Sequence, residues 1–416
     1  MEPFRFEKFD PPLTERRVVS ERGAGQGRRT QLFASLCSIV FLVNMGRIVF
    51  APLLEPLREA FAVGSAGAVG LVATLTWLGS ALPRLPTGYL LTKVPRHHVV
   101  LGAGAVLTGA AVLTATASTL TALYVGALAM GLASGAYFIA ANPLVSELYP
   151  EGVGRAIGIH GTASQLAAVA APLFVSGVLL VGSWRLTFWA IAGAAALSTA
   201  VLYLVSRRAA LPDAGSADRN LLVALRRQWP LIATGVGIIG ATGFVWNGVF
   251  NFYVSYLIDA KELAPGSART MLTVVFAGGV PAFWVTGRLA DRVRVVPLML
   301  SILGAFVACL LALTAVQSFA GVLVASAVTG YVIHSLFPAL DTYMLGTLPD
   351  EHRGSAYAIY SGTMMLVQAA GSVAIGTLRD AGFAFDLVFR TYAVGLVAVL
   401  VVLVVLQRAG WLPSGE

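Results

Sequence analysis

The stretch Gly287-Arg288-Leu289-Ala290-Asp291-Arg292-Val293-Arg294 places a knot of charge between two long apolar segments. Gly287 suits the tight exit of one helix, Asp291 suits the cap of the next, and the arginines favour one side of a membrane. The same plan stands earlier, at Gly88-Tyr89-Leu90-Leu91-Thr92-Lys93-Val94-Pro95-Arg96, with the two leading glycines 199 positions apart. A Gly-led basic turn at matching places in two halves predicts an internal repeat.

The medium around this repeat follows from composition. Of the 416 residues, 57% are hydrophobic and only 12% charged, and the mean hydropathy is +0.80. A water-soluble globular chain carries about twice that charge. A helix needs about 20 apolar residues to cross the hydrocarbon core, so the chain has room for about twelve crossings. Their expected places are 31–55, 66–91, 98–117, 120–147, 155–181, 185–206, 230–256, 268–288, 295–316, 319–346, 355–378 and 387–407. The expected fold is an all-α integral membrane protein of two six-helix bundles. Its organisation is a flexible amino-terminal tail (1–30), a first bundle (31–208), a central loop (209–229), a second bundle (230–408) and a short tail (409–416). Within the central loop, Arg219 to Arg227 reads as a short interfacial stretch.

The formal charge of +8 is unevenly spread. With the amino terminus in the cytoplasm, 20 Lys and Arg fall in cytoplasmic segments, among them Arg28, Arg29, Lys93, Arg96, Arg207, Arg208, Arg288, Arg292 and Arg294. Six fall outside: Arg58, Arg185, Lys261, Arg269, Arg379 and Arg390. That asymmetry fixes both termini on the cytoplasmic side of a cytoplasmic membrane and explains the basic balance without a nucleic-acid partner. Cys37 and Cys309 lie in separate apolar spans and give neither a disulfide framework nor metal spacing. The chain has no Gly-x-x-x-x-Gly-Lys-Ser/Thr phosphate loop, no His-Glu-x-x-His site and no Gly-x-Ser-x-Gly elbow. Neither an enzyme, a cofactor, a metal nor an obligate protein partner is expected; the lipid bilayer and a small solute are.

The two basic turns resemble the Gly-x-Leu-x-Asp-Arg-x-Gly-Arg-Arg type motif that the major facilitator superfamily of secondary transporters carries between helices 2 and 3 and echoes between helices 8 and 9. The resemblance covers roughly residues 30–408. It implies alternating access between two bundles, and a gating role for Gly88, Lys93, Arg96, Gly287, Asp291 and Arg292. The first copy departs from the pattern, with Thr92 where the family has Asp and Pro95 where it has Gly. In the family that Asp belongs to a charge network that locks the outward-facing state. Two further matching junctions, Leu148 to Arg155 and Leu348 to Gly354, each join a Pro, an acid and an Arg before a Gly- and Ala-rich helix.

Ionisable side chains inside spans are costly, about 2.5–3.5 kcal/mol on insertion scales, and by default mark a pathway or a partner. Arg47, in Asn44-Met-Gly-Arg47-Ile-Val-Phe-Ala-Pro52, offers a planar fork for a carboxylate, nitrate or phosphate. The alternative is a structural arginine paired with Glu55. Its counterpart 199 positions on is Trp246, so one half offers charge and the other an aromatic wall. Arg84, in Leu82-Pro-Arg84-Leu-Pro-Thr-Gly88, is similar to the helix 2 arginine of the nitrate/nitrite porter branch. The second arginine of that branch is Phe283 here and its Gly-Asn-rich helix 5 signature is absent, so nitrate itself is not expected. An ion pair of Arg84 with Glu147 is the structural alternative.

Asp341, with His334 seven positions before it, is the expected proton-coupling group. By the repeat it matches Asn142, and in the family these helices line the cavity. Asn247 and Asn251 share a helix face beside Trp246, and read either as substrate contacts or as an interhelical hydrogen-bonded pair. Tyr137 and Gln165 are weaker candidates. The expected activity is gradient-driven transport of a small organic anion with proton symport. A multidrug or lipophilic-solute exporter is the alternative, with Ala170-Ala171-Pro172 where its Gly-Pro-centred motif belongs. A non-transporting membrane receptor is the alternative from another class.

Overall fold

The computed structural model describes residues 13–208, 221–290, 292–349 and 353–412. Among these residues, twelve helices are long and apolar enough to cross a membrane. In chain order, spans 1 to 6 are Gly27–Ile48, Ala66–Leu90, Arg96–Ala115, Leu120–Leu148, Arg155–Val181 and Arg185–Ser206. Spans 7 to 12 are Leu221–Asn251, Pro265–Ala290, Val295–Ala315, Phe319–Met344, Ser355–Asp380 and Phe385–Arg408.

Their packing repeats. In the first half span 1 lies on span 5, span 2 on span 4, and span 3 on spans 4 and 6. In the second half span 7 lies on span 11, span 8 on span 10, and span 9 on spans 10 and 12, the same scheme six helices later. Glycine marks the closest crossings at repeat-related positions. A Cβ on Gly131 would strike Thr76 O on span 2, and a Cβ on Gly330 would strike Val275 O on span 8. Only glycine lets these backbones approach so closely. The two halves meet along spans 2 and 11 and along spans 5 and 8.

Three places differ from the sequence expectation, each for a local reason. Span 1 does not run on to residue 55. Its helix stops at Ile48 and restarts as Phe50–Ala60, because Pro52 has no N–H for the Ile48 carbonyl. Among the described residues span 7 runs from Leu221 rather than from near 230, so Arg226 and Arg227 lie in its first turns. Pro230 therefore sits inside the helix, and a π-helical turn at Val236–Gly240 follows it. Gly88 and Gly287 likewise lie within helices that continue to Leu90 and Ala290, so neither makes an exit turn. Asp291 and most of the 209–229 loop fall outside the described residues, as do 1–12 and 413–416.

The face of the molecule that carries Lys93, Arg96, Arg288 and Arg292 is called here the basic face, and the opposite one the far face. The far face is closed by hydrogen bonds between the halves. Asp380, at the end of span 11, accepts from Ser65 Oγ at 2.6 Å, Ala66 N at 2.7 Å and Gly67 N at 2.9 Å. A carboxylate from one half thus caps the positive N-terminus of span 2 in the other. Deeper in, Val373 N donates to Thr74 Oγ1 at 3.0 Å, and Arg269 Nε donates to Ser176 Oγ at 2.9 Å.

Candidate functional site

The break in span 1 sets Arg47 in the last turn of its first helix. Its Nη2 donates to Asn44 Oδ1 at 2.5 Å and its Nη1 to Ser80 Oγ at 3.3 Å. Asn44 is itself anchored, its Nδ2 donating to Ser164 O on span 5 at 2.6 Å. Trp77 and Phe138 flank the guanidinium, with ring centroids at 4.7 and 5.2 Å. The Nε of Arg47 and the indole Nε1 of Trp77 are sealed from solvent and have no hydrogen-bond partner.

Arg84 comes to the same serine from below. Pro83 interrupts span 2, so one helix ends at Ala81 and the next starts at Arg84. From there Arg84 Nε donates to Ser80 O at 3.3 Å, and its Nη1 crosses to the other half to reach Ser361 Oγ at 3.0 Å. Arg47 and Arg84 lie within electrostatic range of each other. Among the described residues no carboxylate pairs with either. The two acids considered as partners are engaged elsewhere: Glu55 with Arg58 at 3.8 Å and Glu147 with Arg96 at 2.8 Å. Neither structural alternative weighed for these arginines, Arg47 with Glu55 or Arg84 with Glu147, is formed. Glu55 sits on the restarted helix, one turn before Arg58, and Glu147 ends span 4 beside the start of span 3.

On the second half the facing wall is aromatic. Trp77 meets Phe250 across the interface, edge to face, at 5.9 Å. Phe250 packs on Trp246 at 5.4 Å and Phe276 at 5.7 Å. Trp246 stands edge to face with His334 at 5.7 Å, and Phe276, Phe283 and Phe337 also border that imidazole. His334 Nδ1 lies 2.7 Å from Gly330 O. A carbonyl can only accept, so Nδ1 carries the proton and Nε2 is left as the open ring nitrogen. Gln165 Nε2 on span 5 closes this side by donating to Phe276 O at 3.1 Å.

Asp341 has a different neighbourhood from His334. Tyr357 Oη donates to Asp341 Oδ1 at 2.8 Å, and Arg84 lies within electrostatic range of that phenol. Tyr357 and Ser361 stand four apart on span 11, so one helix face connects Asp341 on span 10 with Arg84 on span 2.

The remaining candidates are placed as follows. Asn251 Nδ2 donates to Ser372 Oγ at 3.0 Å, and Ser372 Oγ donates to Asn247 Oδ1 at 2.9 Å, which fastens span 7 to span 11. Both amides are buried there, away from the Trp246 ring contacts. Tyr137 is fully buried, with its hydroxyl 2.6 Å from Leu36 O and 3.0 Å from His160 Nε2. Asn142 is exposed, and its carbonyl accepts from Ser146 Oγ. At the basic turns Lys93 lies over the Tyr89 ring at 4.8 Å and Arg288 over Trp284 at 3.6 Å; Arg292 N bonds Leu289 O. Ser80, Trp77, Phe138, Tyr357, Ser361 and Phe250 were not singled out by the sequence reading. Their residue types are common in apolar spans, and only the paired 357/361 spacing carried a signal.

Twelve spans in two repeated six-helix halves, with a polar site at the seam, define a multi-pass membrane protein of the secondary-transporter type. The chain belongs to the Major Facilitator Superfamily, whose sequence profile matches residues 36–264 and again 238–413. It is 25% identical over 353 residues to the uncharacterised MFS-type transporter YwfA of Bacillus subtilis (strain 168), covering 81% of this chain and 82% of that one. It is 28% identical over 261 residues to a probable sugar efflux transporter of Helicobacter acinonychis (strain Sheeba), covering 61% of this chain and 64% of that one. Among solved structures, a D-xylose-proton symporter shares the fold with a TM-score of 0.75 at 15% identity, over 90% of this chain and 96% of that one. An inward-facing, occupied bacterial homolog of the human lysosomal transporter Spinster gives 0.71 at 16% identity, over 91% and 95%. As a member of this family the chain is a transporter and not an enzyme.

Proposed function

We propose that the protein carries a small organic anion across the cytoplasmic membrane by alternating access, with the basic face in the cytoplasm and a proton as co-substrate. The observation that supports it most is the meeting of Arg47 and Arg84 on Ser80 with no carboxylate partner among the described residues. Two guanidinium groups in a medium of low dielectric repel each other, and each is poorly solvated. An anion bridging them removes both penalties. Arg47 supplies the planar fork and Arg84 the second charge, while Trp246 forms the opposite wall.

Proton coupling runs through Asp341. When the anion draws Arg84 away from the Tyr357 and Ser361 face, Asp341 loses its cationic neighbourhood and takes up a proton. The neutral carboxyl then permits the bundles 31–208 and 230–408 to rock about the 209–229 loop, with Lys93, Arg96, Arg292 and Asp291 steadying the basic face. On the other side deprotonation restores the charge and releases the anion. His334, with Nε2 open, lies among aromatic rings rather than on this path, and the coupling is assigned to Asp341.

A sugar is the second reading, since one relative bears the name of a probable sugar efflux transporter. A polyol needs several open amides; here Asn44 and Gln165 donate to backbone carbonyls, and Asn247 and Asn251 bond Ser372 between spans 7 and 11, where Asn247 Nδ2 and Asn251 Oδ1 stay buried without a partner. The lipophilic-cation exporter is disfavoured by the paired arginines. Counterflow of a labelled carboxylate in vesicles holding purified protein tests the proposal. Exchange in the wild type and its loss in Arg47→Ala is the expected result; exchange of sugars or lipophilic cations in both proteins, with none of carboxylates, overturns it.

A further inference from the structure

Resting on the organic-anion reading, we propose that the transported anion is an aromatic carboxylate, with its carboxylate on the Arg47/Trp77 edge and its ring among Phe250, Phe276 and Trp246.

The geometry around Arg47 restricts how an anion can approach. Trp77 and Phe138 border the guanidinium, and its two Nη groups already serve Asn44 and Ser80. The Nε–H has no partner at all, nor has the nearby Trp77 indole N–H, and each Nη keeps a second N–H. A buried donor without an acceptor costs about 1–3 kcal/mol, so the ligand-free arrangement is held at a disadvantage that an incoming acceptor removes. Two neighbouring N–H donors suit the two oxygens of a flat carboxylate, which accepts in its own plane.

The rest of the ligand must lie against the second half. Its surface there is made of rings that meet edge to face: Trp246 with Phe276 at 76°, Trp246 with His334 at 79°, and Phe250 with Phe276 at 69°. Trp77 already joins this array through Phe250 at 70°. A flat aromatic body can replace one of these contacts in kind, whereas an aliphatic body of equal size gains only burial. Each well-formed aromatic pair adds about 0.5–1.5 kcal/mol beyond burial, so two pairs correspond to about 5–150-fold in affinity. On this wall His334 Nε2 is the ring nitrogen left as acceptor once Nδ1 bonds Gly330 O, so a hydroxyl on the distal edge of the ring would find a partner.

Binding of benzoate, cyclohexanecarboxylate, hexanoate and inorganic phosphate to purified full-length protein in nanodiscs separates the possibilities. Benzoate and cyclohexanecarboxylate share charge and carbon count, so their ratio reports the ring alone. Benzoate at least about 5-fold tighter than cyclohexanecarboxylate is expected, with the preference narrowed in Phe250→Leu and kept in Trp77→Phe, which weakens both ligands by removing the N–H. Equal binding of the two overturns the aromatic assignment and leaves the organic-anion reading standing. Binding of none of the carboxylates overturns that reading itself. Should Phe250→Leu not fold, the wild-type ratio decides alone.

Discussion

The two halves share one packing scheme and differ at the seam. Where the first half has Arg47, the second has Trp246, and where the first has Arg84, the second has Phe283. At the helix crossings the repeat is kept to the residue, as Gly131 and Gly330 show. The halves diverge at these seam positions, and again at the basic turns, where Thr92 and Pro95 match Asp291 and Arg294. The first half keeps the charge, and the second supplies a wall that neither attracts nor competes for it. Among the described residues no acid pairs with either arginine, which is the arrangement the proposed anion site needs.

Removing the charge should have the largest effect. Arg47→Ala is expected to lower carboxylate binding by about 10–150-fold, from the 1.5–3 kcal/mol typical of a hydrogen bond to a charged group, measured by calorimetry. Arg47→Lys should restore only part of it, because an ammonium lacks the fork. If Lys restored binding fully, the site would be reading charge alone. Next in size is Asp341→Asn. It should abolish accumulation driven by a pH gradient while sparing counterflow, a split seen by running both assays on one vesicle preparation. Loss of both assays would make Asp341 a binding or structural residue instead.

At the far face Asp380→Asn removes the charge that caps span 2. Cap losses of about 0.5–2 kcal/mol predict about 2–30-fold more labelling of a cysteine placed on the far side of the seam. Unchanged labelling would mean that spans 2 and 11 are held by packing alone. The smallest change belongs to the wall: Trp246→Phe keeps a ring and should weaken binding by about 2–10-fold, following the 0.5–1.5 kcal/mol of an aromatic pair. An effect as large as that of Arg47→Ala would break the division between a charged half and a passive one.

Most of the fold was legible in the chain itself. Bilayer thickness sets a span length and leaves backbone groups only the helix to satisfy them, so apolar length converts directly into twelve helices. The repeat could be read because the charges at Arg96 and Arg292 must stay out of lipid. Where boundaries were misjudged, a proline was the cause: Pro52 stopped a helix that composition would continue, and Pro230 was absorbed by a π turn rather than starting a span.

For the site, the sequence singled out Arg47, Arg84 and Asp341, which are conspicuous as ionisable residues against apolar neighbours. Which of them meet was decided only by tertiary structure. Glu55 and Glu147 looked like the nearest counterions, yet the break in span 1 and the start of span 3 gave them to Arg58 and Arg96. Ser80 became the meeting point of two arginines, and Tyr357 and Ser361 the link to Asp341, through side chains too common in apolar helices to stand out. Periodicity reports which face of a helix a residue occupies, but pairing across a bundle depends on how helices rotate against one another. That rotation is set by the glycine crossings and proline breaks acting together, and no single stretch of sequence encodes it.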